Sequence, residues 1–205
     1  MIYEFLEQYG WLLVLVLGAL LVCLMFVQGA NSLLSSLGGD DEGRKLVIQS
    51  TARKWKYTFI TFVLFGVALY FSFPHFYSPS VGGAFWLWMV AVCSFVLQTL
   101  CYIIQNALDS KTFRSFLVLN GYVGPLSLGS LLATFFEDNS LWVLVLGLAV
   151  FFLARIMGIL YIMKEVDDAD IHARARLRLT GSTIAFLVFF VAYFVHLLLK
   201  EGVAG

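Results

Sequence analysis

One basic side chain lies deep inside an apolar segment of this sequence and is the first candidate for chemistry. Arg155 stands about three residues past the middle of the run 140–163, which is roughly 4–5 Å along a helix axis. A charge at that depth is costly unless it is paired or hydrated, so we expect it to face protein or to reach the cytoplasmic side. No Asp or Glu lies within an apolar run to pair with it. Arg155 could therefore have a structural or interface role, or it could handle protons or anions. Its partner would be a carbonyl, a lipid phosphate or a group on another chain.

A stripe of polar residues in a second apolar run is the other pattern that suggests function. Ser94, Gln98, Cys101 and Gln105 follow one another at i, i+4, i+7 and i+11, which places them on one face of a helix. In a membrane such a face turns toward other helices. It serves either hydrogen bonding between helices or a path for water or protons.

The remaining reactive residue types form no recognisable site. The histidines at positions 75, 172 and 196 have no ligand spacing, and we expect His196 to be hydrogen-bonded structure rather than a ligand. The cysteines fall inside apolar runs without a CxxC pattern, as buried small hydrophobes do. We find no nucleophile–base pair, paired carboxylates or phosphate-binding loop. The sequence therefore predicts no catalytic residue, no cofactor-binding residue and no metal ligand in this chain.

The elements that must position these residues are transmembrane helices. Hydrophobic residues make up 61% of the chain and charged residues 13%, about half the charged share of a soluble protein. Runs of about 20 apolar residues span a bilayer as helices, and none of these runs alternates as a barrel strand does. We predict an all-α polytopic bundle of about six spans in one transmembrane domain, 1–205. The predicted spans are 10–34, 56–74, 84–105, 114–136, 140–163 and 181–200.

The distribution of basic residues predicts the orientation of the bundle. Eleven of the 13 basic residues fall in the connections after the first, third and fifth spans or at the first residue of the span that follows, whereas 75–83 and 137–139 contain none. The positive-inside rule then places both termini on the outer side of the membrane. Residues 1–9 carry two acids and no base, so we expect a retained span rather than a signal peptide. Positive and negative charges cancel, which argues against nucleic acid as a partner.

Four stretches stand in order along the chain: Trp11 through Phe26–Asn31, Arg53–Lys56 through Ser72-Phe73-Pro74 with Phe76-Tyr77, Gly121–Pro125 with Gly129, and Gly158–Tyr161 with Lys164 and His172–Arg176. Together they resemble subunit II of cytochrome bd ubiquinol oxidase. The first span resembles the family's first span, which ends in an acid- and glycine-rich motif. The second resembles the family's Trp-initiated span that closes on Pro and Tyr. The other two resemble a glycine–proline motif and a Gly-x-x-Tyr motif followed by a His/Arg-rich loop.

The resemblance implies a haem-free, multi-pass subunit in the bacterial inner membrane, set in the lipid bilayer. Its partner would be the haem-bearing subunit I, which holds haem b and haem d and oxidises quinol for the respiratory chain. Subunit II stabilises that assembly and contributes to a proton route. On this basis Gln28, Trp55, Gln98 and Arg155 are the candidates for a proton path or a subunit interface.

This sequence departs from the family pattern in its acids and in its length. Gln28 and Asn31 stand where better-known members have acids, and Lys56 stands where they have an acid beside Trp55. The family usually has about nine spans, so a fragment, a truncated product or a split subunit would each account for six. The alternative function is a haem-free transporter or a membrane assembly protein. A repeat between the two halves would favour a transporter, and we see none.

Overall fold

The computed structural model describes residues 2–72, 83–104 and 111–204, and these residues form α-helices joined by short connections. Backbone N–H and C=O groups inside a membrane must be hydrogen-bonded within the protein, and an α-helix forms these bonds along its own length. In chain order the helices are α1 (Ile2–Leu24), α2 (Phe26–Ser32), α3 (Leu34–Leu37), α4 (Asp41–Ala52), α5 (Trp55–Ser72), α6 (Gly83–Ile104), α7 (Lys111–Ala133), α8 (Ser140–Glu165) and α9 (Ala169–Ala204).

Within the described residues, six helical segments are long and apolar enough to cross a membrane, so the predicted all-α polytopic bundle is confirmed. The orientation of the termini stays a prediction. The ends predicted at residues 74 and 105 lie outside the described residues, as do Phe73, Pro74, Phe76, Tyr77 and Gln105. The six segments are Tyr9–Ser32, Trp55–Ser72, Ala84–Ile104, Lys111–Ala133, Ser140–Glu165 and Ala169–Lys200.

The first span is not the single helix that its apolar run predicts. At Met25 the backbone N–H bonds to the carbonyl oxygen of Val22 at 3.1 Å, three residues back instead of four. This tighter turn separates α1 from α2, and helices bend where the regular ladder is interrupted in this way. The break sends α2 into the interior, where residues 27–32 are all buried.

Glycines let α2 lie between α7 and α8. A Cβ atom built on Gly29 would lie 1.8 Å from the carbonyl oxygen of Ala154, and one on Gly158 would lie 2.3 Å from the Ala30 nitrogen. On the other side, a Cβ on Gly121 would lie 2.4 Å from the Ser32 nitrogen. Two helix backbones can approach so closely only where one residue of each contact is a glycine. The small residues Gly121 and Gly158 of α7 and α8 therefore allow the close packing of α2.

Two segments that the sequence analysis treated as loops are largely helical. Residues 41–52 form α4, which begins where the Asp40 carboxylate accepts a hydrogen bond from the Gly43 nitrogen at 2.9 Å. The last helix begins at Ala169 rather than near residue 181, and the Asp168 carboxylate accepts from the Ile171 nitrogen at 2.8 Å near this start. Hydropathy marks where a helix enters the membrane, whereas the Ala- and Arg-rich segment before it is itself a good helix former.

Candidate functional site

Five buried polar side chains collect where α2, α6 and α7 meet, and we call them the polar core. Each is at most 4% exposed, although the surrounding helices are apolar. Buried polar groups in a membrane are costly, so their grouping in one place indicates a function or a specific packing role. The members of the polar core are Gln28, Asn31, Ser94, Gln98 and Asn120.

The polar core is held together across the contact of α2 with α6 and α7. The Ser94 hydroxyl donates to the backbone carbonyl of Asn120 at 3.4 Å. A Cβ on Gly124 would lie 3.4 Å from both Gln28 Cγ and Ser94 Oγ, so these two side chains flank the bare backbone of α7. Gln98 follows Ser94 one turn later on the buried face of α6. The predicted inward direction of the stripe is thus correct for Ser94, Gln98 and Cys101.

Tyr102 connects the polar core to the basic end of the bundle. Its hydroxyl donates to Asn31 Oδ1 at 2.7 Å and lies 3.0 Å from the Thr51 hydroxyl. Its ring stacks on Trp55, with ring centroids 5.9 Å apart and planes 2° from parallel. Both rings line a cavity of about 470 Å³ that also contacts Arg53 and Lys56. Trp55 and Tyr102 therefore line this cavity, while Gln28 and Gln98 are not among its lining residues.

Several amide atoms of the polar core have no hydrogen-bond partner among the described residues. The Nε2 and Oε1 atoms of Gln28 lack a partner, and so do Asn31 Nδ2, Gln98 Oε1 and Asn120 Nδ2. A buried amide group without a partner costs about 1–3 kcal/mol. Ordered water commonly satisfies such groups in polar cavities, so the polar core has the chemistry of a hydrated site.

Tyr102→Phe should lower the thermal unfolding midpoint of the purified protein. The substitution keeps the ring but removes the donor to Asn31, and leaving a buried acceptor unpaired costs about 1–3 kcal/mol. Tyr57→Phe is the matched control, because Tyr57 is 61% exposed on α5. Equal midpoints for the two variants would show that the Tyr102 hydroxyl contributes nothing to the fold.

Arg155 lies apart from the polar core, half-buried near Tyr122 of α7 and Arg178 of α9. Its Cζ atom lies 5.5 Å from the centre of the Phe151 ring, and the Tyr122 side chain interacts with the guanidinium group. Phe151 is one turn nearer the Ser140 end of α8, so the side chain does not reach toward the basic end of the helix. Its Nε atom is buried and has no hydrogen-bond partner among the described residues.

A comparison with protein families bears on the function of this architecture. The family model for cytochrome bd terminal oxidase subunit II matches residues 6–204. The chain belongs to this family. No curated protein matches it at a significant level. As a cytochrome bd subunit II family member with six membrane-crossing helices, the chain is a multi-pass membrane subunit of a terminal oxidase complex.

Each described histidine of this family member is hydrogen-bonded through one ring nitrogen. His172 Nε2 lies 2.7 Å from the carbonyl oxygen of Val166, and His196 Nε2 lies 2.9 Å from Glu137 Oε2. His75 lies outside the described residues. Among the residues that the structure describes, no three His, Cys, Asp or Glu side chains are grouped as metal ligands.

A second polar cluster, which the sequence analysis missed, joins the α7–α8 connection to α9. Glu137 accepts hydrogen bonds from His196 at 2.9 Å and from Lys200 Nζ at 3.1 Å, and these donors lower its pKa to about 2. Trp142 stacks on the His196 ring with centroids 3.9 Å apart. The expected structural role of His196 is thus what the structure shows. Its partner is 59 residues away, so no local pattern could have revealed the pair.

Proposed function

We propose that this chain is the haem-free subunit of a cytochrome bd-type quinol:oxygen oxidoreductase in the bacterial inner membrane. It packs beside a haem-bearing subunit I, which holds haem b and haem d, and quinol is the substrate of the complex. Residues 1–205 act as one transmembrane domain without catalytic residues of their own. Membership of the subunit II family supports the class of complex.

The observation that carries the supporting role is the position of Arg155. The apolar parts of the spans contain no acid that could pair with it. Glu165 and Asp170 fall within the bounds of the last two spans, but they lie beside the connection between α8 and α9. A phospholipid phosphate lies at least about 15 Å from the membrane centre, outside the hydrocarbon, whereas Arg155 is roughly 4–5 Å from it. Tyr122 is the polar group of this chain beside the guanidinium, and its hydroxyl carries no charge to balance it, so we place a further acceptor on another membrane chain. Arg155 therefore marks the surface of α7 and α8 that faces the partner subunit.

The polar core is proposed to hold water for the proton route of the complex. Gln28 and Gln98 have amide atoms free to bind water, and Trp55 lies with Tyr102 at the cavity of about 470 Å³ that opens at the basic end. Amides do not titrate in the physiological range, so these residues position water and do not store protons. The family's carboxylates would do both.

Purification of this chain in mild detergent, followed by a reduced-minus-oxidised spectrum, tests the proposal. We expect a larger membrane subunit to co-purify and to carry b-type and d-type haem bands. A parallel purification from cells without the affinity tag controls for adventitious oxidase. A colourless homo-oligomer would contradict the proposal and favour a transporter or an assembly protein.

A further inference from the structure

A concave site at the basic end of the bundle lies outside the polar core and outside the surface marked by Arg155. Its cavity has a volume of about 360 Å³ and is bounded by α3, α4 and the first turns of α7. Lys111 is the first residue of a membrane-crossing segment, so the cavity lies at the level where lipid headgroups meet the chain. The lining residues are Leu34, Ser35, Arg44, Lys111, Arg114, Ser115 and Val118.

The charge in this cavity is unbalanced in favour of cations. Arg44, Lys111 and Arg114 converge from two helices. Asp41 pairs with the two arginines, at 3.2 Å from Arg44 and 2.6 Å from Arg114. These two guanidinium groups hold the pKa of Asp41 below its usual value, so it stays ionised. Arg44 also donates to the Gly39 carbonyl at 3.1 Å, yet its Nε atom is buried without a partner among the described residues. An added anion would be stabilised here.

The rest of the cavity and its surroundings are amphipathic in the way that a phospholipid is. Ser35 and Ser115 supply hydroxyl groups beside the cations, and Leu34 and Val118 supply an apolar wall. From this point α7 presents exposed apolar side chains further into the membrane. These are Phe116 and Leu119, which are 46% and 54% exposed. A headgroup in the cavity would therefore continue into acyl chains lying along α7.

We propose that this cavity binds the phosphate group of an anionic phospholipid. The cations pair with the phosphate, the serine hydroxyls hydrogen-bond the glycerol region, and the exposed face of α7 contacts the acyl chains. A zwitterionic headgroup would bring its own cation toward three basic side chains, so the site selects lipids with net negative charge. Basic pockets between helices at a membrane surface are suited to such headgroups.

Lipid titration of the purified protein, in its native complex where one forms, tests this site. Phosphatidylglycerol should raise the thermal unfolding midpoint, and native mass spectrometry should show it bound more tightly than phosphatidylcholine. Removing two basic contacts in R44Q/K111Q should weaken phosphatidylglycerol binding by about 25-fold, or about fivefold for each residue. The control K45Q/K164Q removes the same charge from exposed residues outside the cavity and should bind as the unmodified protein does.

Three results would overturn the proposal. Equal lipid affinity in the two double variants would place binding elsewhere, and equal affinity for phosphatidylcholine would remove the role of charge. Displacement of the lipid by inorganic phosphate at millimolar concentration would assign the site to a soluble anion. If R44Q disturbs folding through the lost contact with Asp41, K111Q alone still tests the site, because Lys111 is exposed and has no ion pair among the described residues.

Discussion

Gly29→Ala should prevent the protein from accumulating in a folded, detergent-stable form. The new Cβ atom would lie 1.8 Å from the Ala154 carbonyl oxygen and 2.9 Å from the Arg155 nitrogen, and both atoms belong to the backbone of α8. A flexible side chain could move aside, but a helix backbone in a packed bundle cannot do so without separating α2 from α8. Overpacking of this kind costs about 3 kcal/mol, at the upper end of the range for buried sites.

Gly181→Ala is the matched control for this experiment. The substitution adds the same methyl group to a glycine within a long helix, but no atom lies within 4 Å of the new Cβ. Because alanine is the better helix former, we expect unchanged or slightly raised stability, by up to about 1 kcal/mol. Fluorescence-detected size-exclusion chromatography before and after heating compares the two variants. A monodisperse, heat-stable Gly29→Ala protein would show that α2 and α8 are not in close contact.

Arg155→Leu should lower the yield of the assembled complex and leave the turnover of the surviving complex near normal. The guanidinium group lies beside Phe151 at the bundle surface, where the proposed interface supplies its acceptor. Removing one partner of a buried ion pair costs about 3–5 kcal/mol, so the yield should fall at least about tenfold. Haem content of the purified complex measures the yield, and quinol-dependent oxygen consumption per haem d measures turnover.

Arg176→Leu provides the comparison, since it removes an exposed arginine from α9 and should leave the yield unchanged. Normal yield with strongly reduced turnover in Arg155→Leu would contradict the interface role. That result would instead assign Arg155 to proton handling. Normal yield and normal turnover together would remove Arg155 from both roles.

Hydropathy was sufficient to predict the membrane-crossing helices, because the cost of burying polar groups in lipid acts on each run by itself. The break at Met25 could not be predicted this way. Nothing in the apolar run requires it, and its cause lies in the contacts that α2 makes with glycines of α7 and α8. The early start of α9 was missed for another reason. Hydropathy marks the residues that enter the membrane, whereas helix propensity decides where the helix begins.

The candidate site was predictable in its residue types and less so in its connections. The spacing of Ser94 and Gln98 indicated a buried polar face, and the family resemblance pointed to Gln28 and Trp55. Tyr102 was overlooked, because its importance depends on Asn31 and Thr51, which are 71 and 51 residues away in sequence. One-dimensional spacing reports which face of a helix is polar. It does not report which distant side chain completes a hydrogen bond.

The central position of α2 has a consequence for how the protein is made. Its glycine backbone rests against Ala154, which the ribosome adds 125 residues after Gly29. At about 5–20 residues per second, the first span waits roughly 6–25 s before the helix that covers it is translated. During the first part of that interval, before α6 and α7 are translated, Gln28 and Asn31 face lipid or the insertion machinery with no partner helix. Nascent chains halted before α8 are therefore expected to be the form that membrane quality-control proteases recognise and remove.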